Sequence, residues 1–281
     1  MSMTAAALAP PIRQLLGFAW CQTRACAFAG ALLAGLAVSK LLPTLPLARY
    51  DVLFCYGVLL TLSFWLRGWE SGRDIAVITG CHVIGLAFEI VKVSLGSWSY
   101  PEPAVLKLAG VPLYGGFLYA AVGSYICRAW RLHHLELVRY RARAMTVTAA
   151  LIYVNFFSHH WLPDARWVLA GLLLVSTAGT WVYFTVQGVR RRMPLALSFA
   201  LIGFFLWVAE NAATYVGAWR YPYQLHGWQP VGLDKFGAWS LLISVTFVLA
   251  ATGRSRTPRR PAHGSDHEPA AAVDRHRPSR R

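Results

Sequence analysis

Acidic residues are scarce in this sequence, in which only 12 of 281 residues are Asp or Glu. Charged residues of both signs make up 14% of the chain, whereas soluble globular domains carry about 25%. Hydrophobic residues make up 56%, and the mean hydropathy is +0.44. The shortage of charge excludes an ordinary soluble enzyme and indicates that lipid surrounds most of the chain.

Paired cysteine motifs are also absent. The five cysteines have neither CxxC spacing nor the spacing of a zinc site, so we expect them to be reduced residues. The spacing of Glu and His residues matches no metal-ligand signature either. The sequence therefore predicts neither a metal nor another cofactor, and it leaves open whether a metal binds near His159.

Basic residues outnumber acidic ones and give a formal net charge of +15. The Lys and Arg residues gather between apolar runs and near the C-terminus, which is the distribution of membrane proteins whose basic loops face the cytoplasm. We therefore expect contacts with membrane lipid and no nucleic-acid partner. The oligomeric state is left open by the sequence.

Apolar runs long enough for a membrane span recur along the chain. Because a span needs roughly 20 mostly apolar residues, the sequence predicts an all-α bundle of about eight transmembrane helices. The predicted spans are 25–43, 51–67, 74–95, 112–130, 144–161, 166–187, 194–217 and 236–252. The basic clusters fall on one face of this bundle if both termini are cytoplasmic.

One pattern of five residues occurs twice. Glu89, Gly96, Trp98, Tyr100 and Pro101 return in the same order and spacing as Glu210, Gly217, Trp219, Tyr221 and Pro222. Because an even number of predicted helices separates the copies, the match predicts a parallel four-plus-four repeat. Both acids then approach the same, outer, side of the membrane.

The repeat divides the chain into two halves with basic segments around them. The predicted parts are a cytoplasmic N-terminal segment (1–24), a first four-helix half (25–130), a basic cytoplasmic loop (131–143), a second four-helix half (144–252) and a disordered basic cytoplasmic tail (253–281). The tail has no apolar period, so it cannot bury enough surface to fold.

The two glutamates are the leading candidates for a functional site. A charged residue at the centre of a span costs about 2.5–3.5 kcal/mol on insertion scales, so acids in spans usually face the bundle interior. Glu89 has Lys92 one turn later as a candidate partner, whereas Glu210 has Asn211 beside it. We therefore expect the two halves to differ chemically.

Further polar residues lie at the outer end of the fifth predicted span. Neighbouring residues on a helix point in different directions, so at most one of His159 and His160 is expected to join the glutamates. The predicted catalytic residues are Glu89, Glu210, His159 and Asp164. The predicted substrate-binding residues are Trp98, Tyr100, Trp219, Tyr221, Asn155 and Asn211. The aromatic residues are equally typical of interface anchors, and the glutamates of contacts between helices.

Three stretches of the chain resemble a known bacterial family. They are residues 89–100, Gly110-Val111-Pro112-Leu113, and residues 155–166, which begin Asn155-Phe156-Phe157. They are similar to the multi-pass membrane proteins grouped as domain of unknown function 817, and the likeness extends to about Ala251. It implies a multi-pass protein of the bacterial inner membrane but no activity, since none is established for that family.

A second likeness covers only the motif regions. An acid followed by Gly, an aromatic residue and Tyr, with Gly-Val-Pro at the next helix, is similar to membrane carotenoid hydratases and small membrane lycopene cyclases. Intramembrane carboxylic acids protonate a polyene in those enzymes, which implies Glu89 and Glu210 as proton donors here. Trp98 departs from their pattern, because those families vary at this position.

Three functions stay open on the sequence alone. The first is an intramembrane enzyme whose buried Glu acts as an acid on an isoprenoid or another lipid-soluble substrate. The second is a proton-coupled transporter, because duplicated halves with acids between them are common in carriers. The third is a non-catalytic membrane scaffold.

Overall fold

The computed structural model describes residues 10–42 and 47–255. Most of these residues lie in nine helices, as the predicted helical bundle requires. The helices are α1 (Pro10–Ala25), α2 (Ala27–Leu41), α3 (Arg49–Leu66), α4 (Gly72–Ser94), α5 (Gly115–Leu132), α6 (Ala142–Ser158), α7 (Arg166–Thr177), α8 (Leu195–Tyr215) and α9 (Asp234–Ser255). Apart from residues 253–255, the predicted disordered tail lies outside the described residues.

Four helices are long and apolar enough to cross a membrane. They are α3, α4, α8 and the Asp234–Thr252 part of α9. α1 and α2 meet the same criteria together, but the chain bends by 61° between them, as in a broken span or a re-entrant loop. The described residues thus hold four or five candidate spans, and the number eight stays a prediction.

The predicted span 166–187 is wrong in its second half. α7 ends at Thr177, and the chain continues as a strand hairpin of β4 (Trp181–Val186) and β5 (Val189–Pro194). β4 is rich in aromatic and β-branched residues, which favour strands. Gln187 and Gly188 have φ angles of 49° and 77°, as a two-residue turn of type I′ requires.

Small sheets make the all-α prediction incomplete. β1 (Lys107–Leu108) and β2 (Val111–Pro112) form a short hairpin before α5. β3 (Glu136–Val138), from the predicted basic loop, pairs with the free edge of β4 and completes a three-stranded antiparallel sheet. The arginines of β5 are exposed on this sheet, which is compatible with water and not with the lipid interior.

Two closely packed helix pairs, α4 with α5 and α8 with α9, form the centre of the bundle. A Cβ atom added to Gly85 of α4 would lie 2.3 Å from the ring of Tyr119. A Cβ atom added to Gly203 of α8 would lie 2.7 Å from the backbone nitrogen of Ser240. Small residues permit such close helix contacts in membrane proteins. α9 also contacts α4, α5 and α6, so the two pairs meet.

We expect Gly203→Ala to lower the midpoint of thermal unfolding in detergent, followed by circular dichroism. The added methyl group would press on the Ser240 backbone, and such overpacking costs about 1–3 kcal/mol. Gly80→Ala in α4 is the control, because nothing lies within 4 Å of its added Cβ and Ala favours a helix over Gly by about 1 kcal/mol. Equal midpoints for the two variants would contradict the close α8–α9 contact.

Candidate functional site

Glu89, in α4, is only 4% exposed and meets three hydrogen-bond donors. Its Oε2 accepts hydrogen bonds from the indole N–H of Trp98 at 2.6 Å and from the Tyr100 hydroxyl at 2.7 Å. Its Oε1 accepts one from the Tyr119 hydroxyl, on α5, at 2.8 Å. Three donors favour the ionised carboxylate and offset part of the cost of burying it.

Glu210, in α8, is equally buried at 4% exposure but has only two donors. Its Oε1 accepts a hydrogen bond from the Tyr221 hydroxyl at 2.5 Å, and its Oε2 accepts one from the indole N–H of Trp239, on α9, at 2.8 Å. Each oxygen therefore has a single partner. Both acids accept from the Tyr of their own motif, but the remaining donors differ.

The tyrosines of the two motifs are fixed donors. Tyr100 and Tyr221 both lie in the segments that follow the helices, outside α4 and α8. Burial, and after it the neighbouring carboxyl groups, raise the pKa of both phenols well above their ordinary value. Both hydroxyls therefore stay protonated and donate to the carboxyl oxygens.

The donors of one acid contact the donors of the other. The ring centroids of Trp98 and Tyr221 are 6.0 Å apart, and those of Tyr119 and Trp239 are 6.3 Å apart. In each of these pairs one residue donates to Glu89 and the other to Glu210. The two hydrogen-bond networks therefore form one continuous aromatic cluster.

The motif segments also pair through their backbones. The Ser99 N–H donates to the Arg220 carbonyl at 2.9 Å, and the Arg220 N–H donates to the Ser99 carbonyl at 3.0 Å. These two residues occupy matching positions, between the Trp and the Tyr of each copy. Gly96 and Gly217 lie two residues after the last residues of α4 and α8 and have φ angles of 70° and 73°, as the left-handed residue that ends a helix requires.

Both glutamates line one cavity of about 310 Å³. This volume is at the lower end of the range of small-molecule sites, about 300–1,000 Å³. Seven of its 19 lining residues are Phe, Tyr or Trp, and they are Phe88, Trp98, Tyr119, Phe156, Trp219, Tyr221 and Trp239. The structure thus brings the two acids and three of the four predicted motif aromatics to one space, while Tyr100 supports Glu89 from behind it.

Basic side chains line the same cavity. The ammonium of Lys92, which is 3% exposed, lies 3.1 Å from Nε2 of His160 and 3.4 Å from both ring nitrogens of His159. Desolvation, and after it the charge of Lys92, lower the pKa of both imidazoles. The rings are therefore neutral at pH 7. Nδ1 of His159 lies 3.2 Å from the Asn155 carbonyl and donates to it, so Nε2 of each ring accepts from the ammonium.

Two expectations about these basic residues are wrong. Lys92 forms no ion pair with Glu89 in the described part of the chain, because Glu89 accepts from three other side chains and Lys92 contacts the two His residues. Both His159 and His160 line the cavity. α6 ends at Ser158, so these residues lie in the following turn and helical spacing does not separate them.

Asn155 and Asp164 hold the turn between α6 and α7 and do not line the cavity. The Oδ1 atom of Asn155 accepts from the Ala165 N–H at 2.9 Å, and its Nδ2 donates to Asp164 at 3.3 Å. Asp164 forms an ion pair with Arg166 at 2.5 Å. Their geometry is that of turn-forming residues rather than of groups that reach a substrate.

Asn211, in α8, also holds a loop in place. Its Oδ1 accepts from the Val231 N–H at 2.9 Å, and its Nδ2 donates to the Trp207 carbonyl at 2.9 Å. It therefore fixes the loop before α9 to α8, outside the cavity lining.

Sequence reasoning missed Tyr119, Trp239 and Lys235. All three lie on the helices that follow the motifs, and Tyr119 follows Tyr100 by nearly the same distance as Trp239 follows Tyr221. The sequence signal that could have found Tyr119 and Trp239 is a hydrogen-bond donor at a similar distance after each motif. Within the described ranges, no group of three or more His, Cys, Asp or Glu residues is placed to hold a metal ion.

A bundle of apolar helices around two buried, hydrogen-bonded acids defines a helical membrane protein with a cavity that both acids line. Over residues 14–247 the sequence matches the family described as "Protein of unknown function (DUF817)", and the chain belongs to this family. The resemblance read from the motifs is thereby confirmed. The likeness to carotenoid hydratases and lycopene cyclases stays a prediction.

A similar relative is the "Uncharacterized protein YoaT" of Bacillus subtilis (strain 168). It is 48% identical over 242 residues, which cover 86% of this chain and 92% of the relative. No solved structure matches the chain.

We expect Tyr119→Phe to lower the thermal stability of the purified protein. Oε1 of Glu89 would stay buried without its hydroxyl donor, and an unsatisfied buried acceptor costs about 1–3 kcal/mol. Tyr153→Phe is the control, because its ring also packs on Phe88 but its hydroxyl forms no hydrogen bond to the residues described. If both variants unfold at the same temperature, the Tyr119–Glu89 hydrogen bond does not stabilise the protein.

Proposed function

We propose that this protein is a multi-pass membrane enzyme that transfers protons to and from a lipid-soluble substrate at Glu89 and Glu210. The observation that carries the proposal is the single cavity that both buried acids line. Its aromatic wall suits an apolar substrate. Two carboxyl groups in different surroundings are typical of a site that holds one as an acid and the other as a base.

Glu210 is the proposed proton donor and Glu89 the proposed carboxylate. A protonated carboxyl group has its own proton to donate, so it tolerates fewer donors around it than a carboxylate does. Glu210 meets two donors and Glu89 meets three. Hydrogen bonding therefore favours the proton on Glu210 and the negative charge on Glu89.

These roles give a complete reaction on a substrate with a carbon–carbon double bond, such as an isoprenoid. The Glu210 proton adds to one alkene carbon and leaves a cation at the other carbon. Glu89 then removes a proton from a carbon next to the cation, so that the double bond has moved by one position. Glu89 then releases its proton to solvent water and Glu210 takes one up, so both acids return to their starting states and no oxidant or reductant is consumed. The faces of Trp98 and Trp219 are suited to stabilising the cation.

The proposal includes a parallel repeat formed by the eight helices α2 to α9. The matched acids lie in α4 and α8, each of which packs on the helix that follows it. The reciprocal backbone pairing of Ser99 and Arg220 supports a two-fold axis between the halves. An axis along the membrane normal leaves both acids near the same, outer, side.

The same proposal predicts an inner-membrane protein with both termini in the cytoplasm. We expect a fluorescent protein fused to the C-terminus to be fluorescent, and alkaline phosphatase fused there to be inactive. Phosphatase fused after Leu225, in the loop between α8 and α9, should be active because that loop faces the periplasm. The reverse pattern would contradict the orientation.

Catalysis can be tested through the hydrogen that the reaction adds. Membranes containing the expressed protein are incubated in deuterium oxide with extracted bacterial lipids, which are then separated and analysed by mass spectrometry. We expect one lipid to change its retention time and gain deuterium, because the added proton comes from Glu210 in exchange with the solvent. Glu210→Gln should slow this labelling about 10²–10⁴-fold.

Glu136→Gln is the matched control for this experiment. Glu136 lies on β3 and pairs with Arg190 at the protein surface, away from the cavity. The control should label lipid at the rate of the unsubstituted protein. Labelling that is absent with folded protein, or that is unchanged in Glu210→Gln, would refute the proposed reaction.

A proton-coupled carrier is the second candidate. The pairing of matched residues Ser99 and Arg220 favours it, because duplicated halves surround the substrate site in many carriers. A carrier would show no deuterium labelling. Instead, the unsubstituted protein reconstituted in liposomes would move protons along an imposed pH gradient when a cell extract supplies the cargo. The Glu210→Gln variant would move none.

A further inference from the structure

We infer that Lys92, His159 and His160 bind the anionic headgroup of the substrate, which is then an amphiphile with an apolar chain and a terminal phosphate or carboxylate. This inference rests on the proposed function, since it adds a headgroup to the lipid-soluble substrate of the same cavity. It assigns a second subsite, separate from the two acids.

Lys92 is a buried cation without a carboxylate partner among the described residues. Its ammonium contacts the two imidazoles and lies 5.7 Å from the centre of the Phe88 ring. Arg131, at the other end of the bundle, instead pairs with Glu70 at 2.9 Å. A buried charge is unfavourable unless it is paired, so a bound anion would stabilise Lys92 as Glu70 stabilises Arg131.

The two imidazoles leave room for such a ligand. An ammonium has three N–H donors, and two neutral rings accept from at most two of them. The remaining donor is available to an oxygen of a phosphate or carboxylate group. His160 is exposed, so the anion can approach this cluster from outside the bundle.

Further positive charge surrounds the cluster. Lys235 and Arg166 line the same cavity, and the Lys235 ammonium lies 5.0 Å from the centre of the Tyr221 ring. Arg166 is paired with Asp164. The acid Asp234 also lines the cavity, but Lys235 forms no ion pair within the described residues, so it is the more available of the two cations.

The cluster lies where lipid headgroups would lie. Lys92 is in the last turn of α4, the two His residues follow α6, and Lys235 is in the first turn of α9. Glu89 is one helical turn further into α4 than Lys92. A substrate held by its headgroup at this end would extend its chain along the aromatic wall towards Glu89 and Glu210.

The test uses the full chain in nanodiscs of phosphatidylcholine, with empty nanodiscs as the reference for partition into lipid. The probes are radiolabelled farnesyl phosphate, farnesol and inorganic phosphate. We expect farnesyl phosphate to bind, and farnesol to bind about tenfold more weakly, because a hydrogen bond between charged groups is lost. Inorganic phosphate should bind more weakly than farnesyl phosphate, because it has no chain to bury.

Substitutions assign the binding to the cluster. Lys92→Met should weaken farnesyl phosphate binding about tenfold and leave farnesol binding unchanged. Lys92→Arg should retain most of the affinity, and His160→Gln, at an exposed position that tolerates substitution, should reduce it measurably. Lys40→Met is the matched control, because Lys40 is an exposed lysine at the end of α2, outside the cavity lining.

The outcomes separate this inference from the proposed reaction. Unchanged farnesyl phosphate binding in Lys92→Met and His160→Gln would overturn the headgroup site, even if deuterium labelling depends on Glu210. Equal binding of inorganic phosphate and farnesyl phosphate would show that the apolar chain adds no affinity. This result would overturn the inference of an amphiphilic substrate and indicate a site for a free anion. Binding that depends on Lys92 in a protein that labels no lipid would support the headgroup site and refute the catalysis. If Lys92→Met does not fold, His160→Gln decides.

Discussion

Neutral hydrogen-bond donors around two buried carboxyl groups are the interaction on which the rest of this structure depends. An acid in an apolar bundle has to find partners within the protein, since water is scarce there. Glu89 finds them in the segment after α4 and in α5, and Glu210 finds them in the segment after α8 and in α9. Each carboxyl group thereby holds a loop and a neighbouring helix to its own helix, and these contacts shape the cavity between the two pairs.

A third buried acid shows what these two lack. Glu70 accepts from Ser124 at 2.6 Å and pairs with Arg131, so arginine accompanies its charge at the other end of the bundle. An acid that is paired with arginine in this way usually stabilises the fold and takes no part in a reaction. Indole and phenol donors supply no positive charge, so the carboxyl groups at the cavity can still take up a proton.

Local patterns predicted much of this architecture, and contacts across the bundle account for what they missed. The repeated motif singled out the two acids and, as residues of the same site, Tyr100 and Tyr221, since these lie within a few turns of one another. Tyr119 and Trp239 meet the acids only because α5 and α9 pack beside α4 and α8. Lys92 contacts His159, which lies 67 residues further along the chain, so no local pattern could predict this contact. The β4–β5 hairpin resembled a membrane span because the strand β4 is as apolar as a membrane helix.

Reciprocal pairing of Ser99 with Arg220 has a consequence for the history of the chain. Two identical subunits that meet about a two-fold axis make contacts of this kind, in which equivalent residues bond to each other. A half-length ancestor that dimerised through this segment would already have placed two acids around one cavity. Fusion of two such genes would have let each copy change alone, so that a lysine could enter beside one acid and an asparagine beside the other.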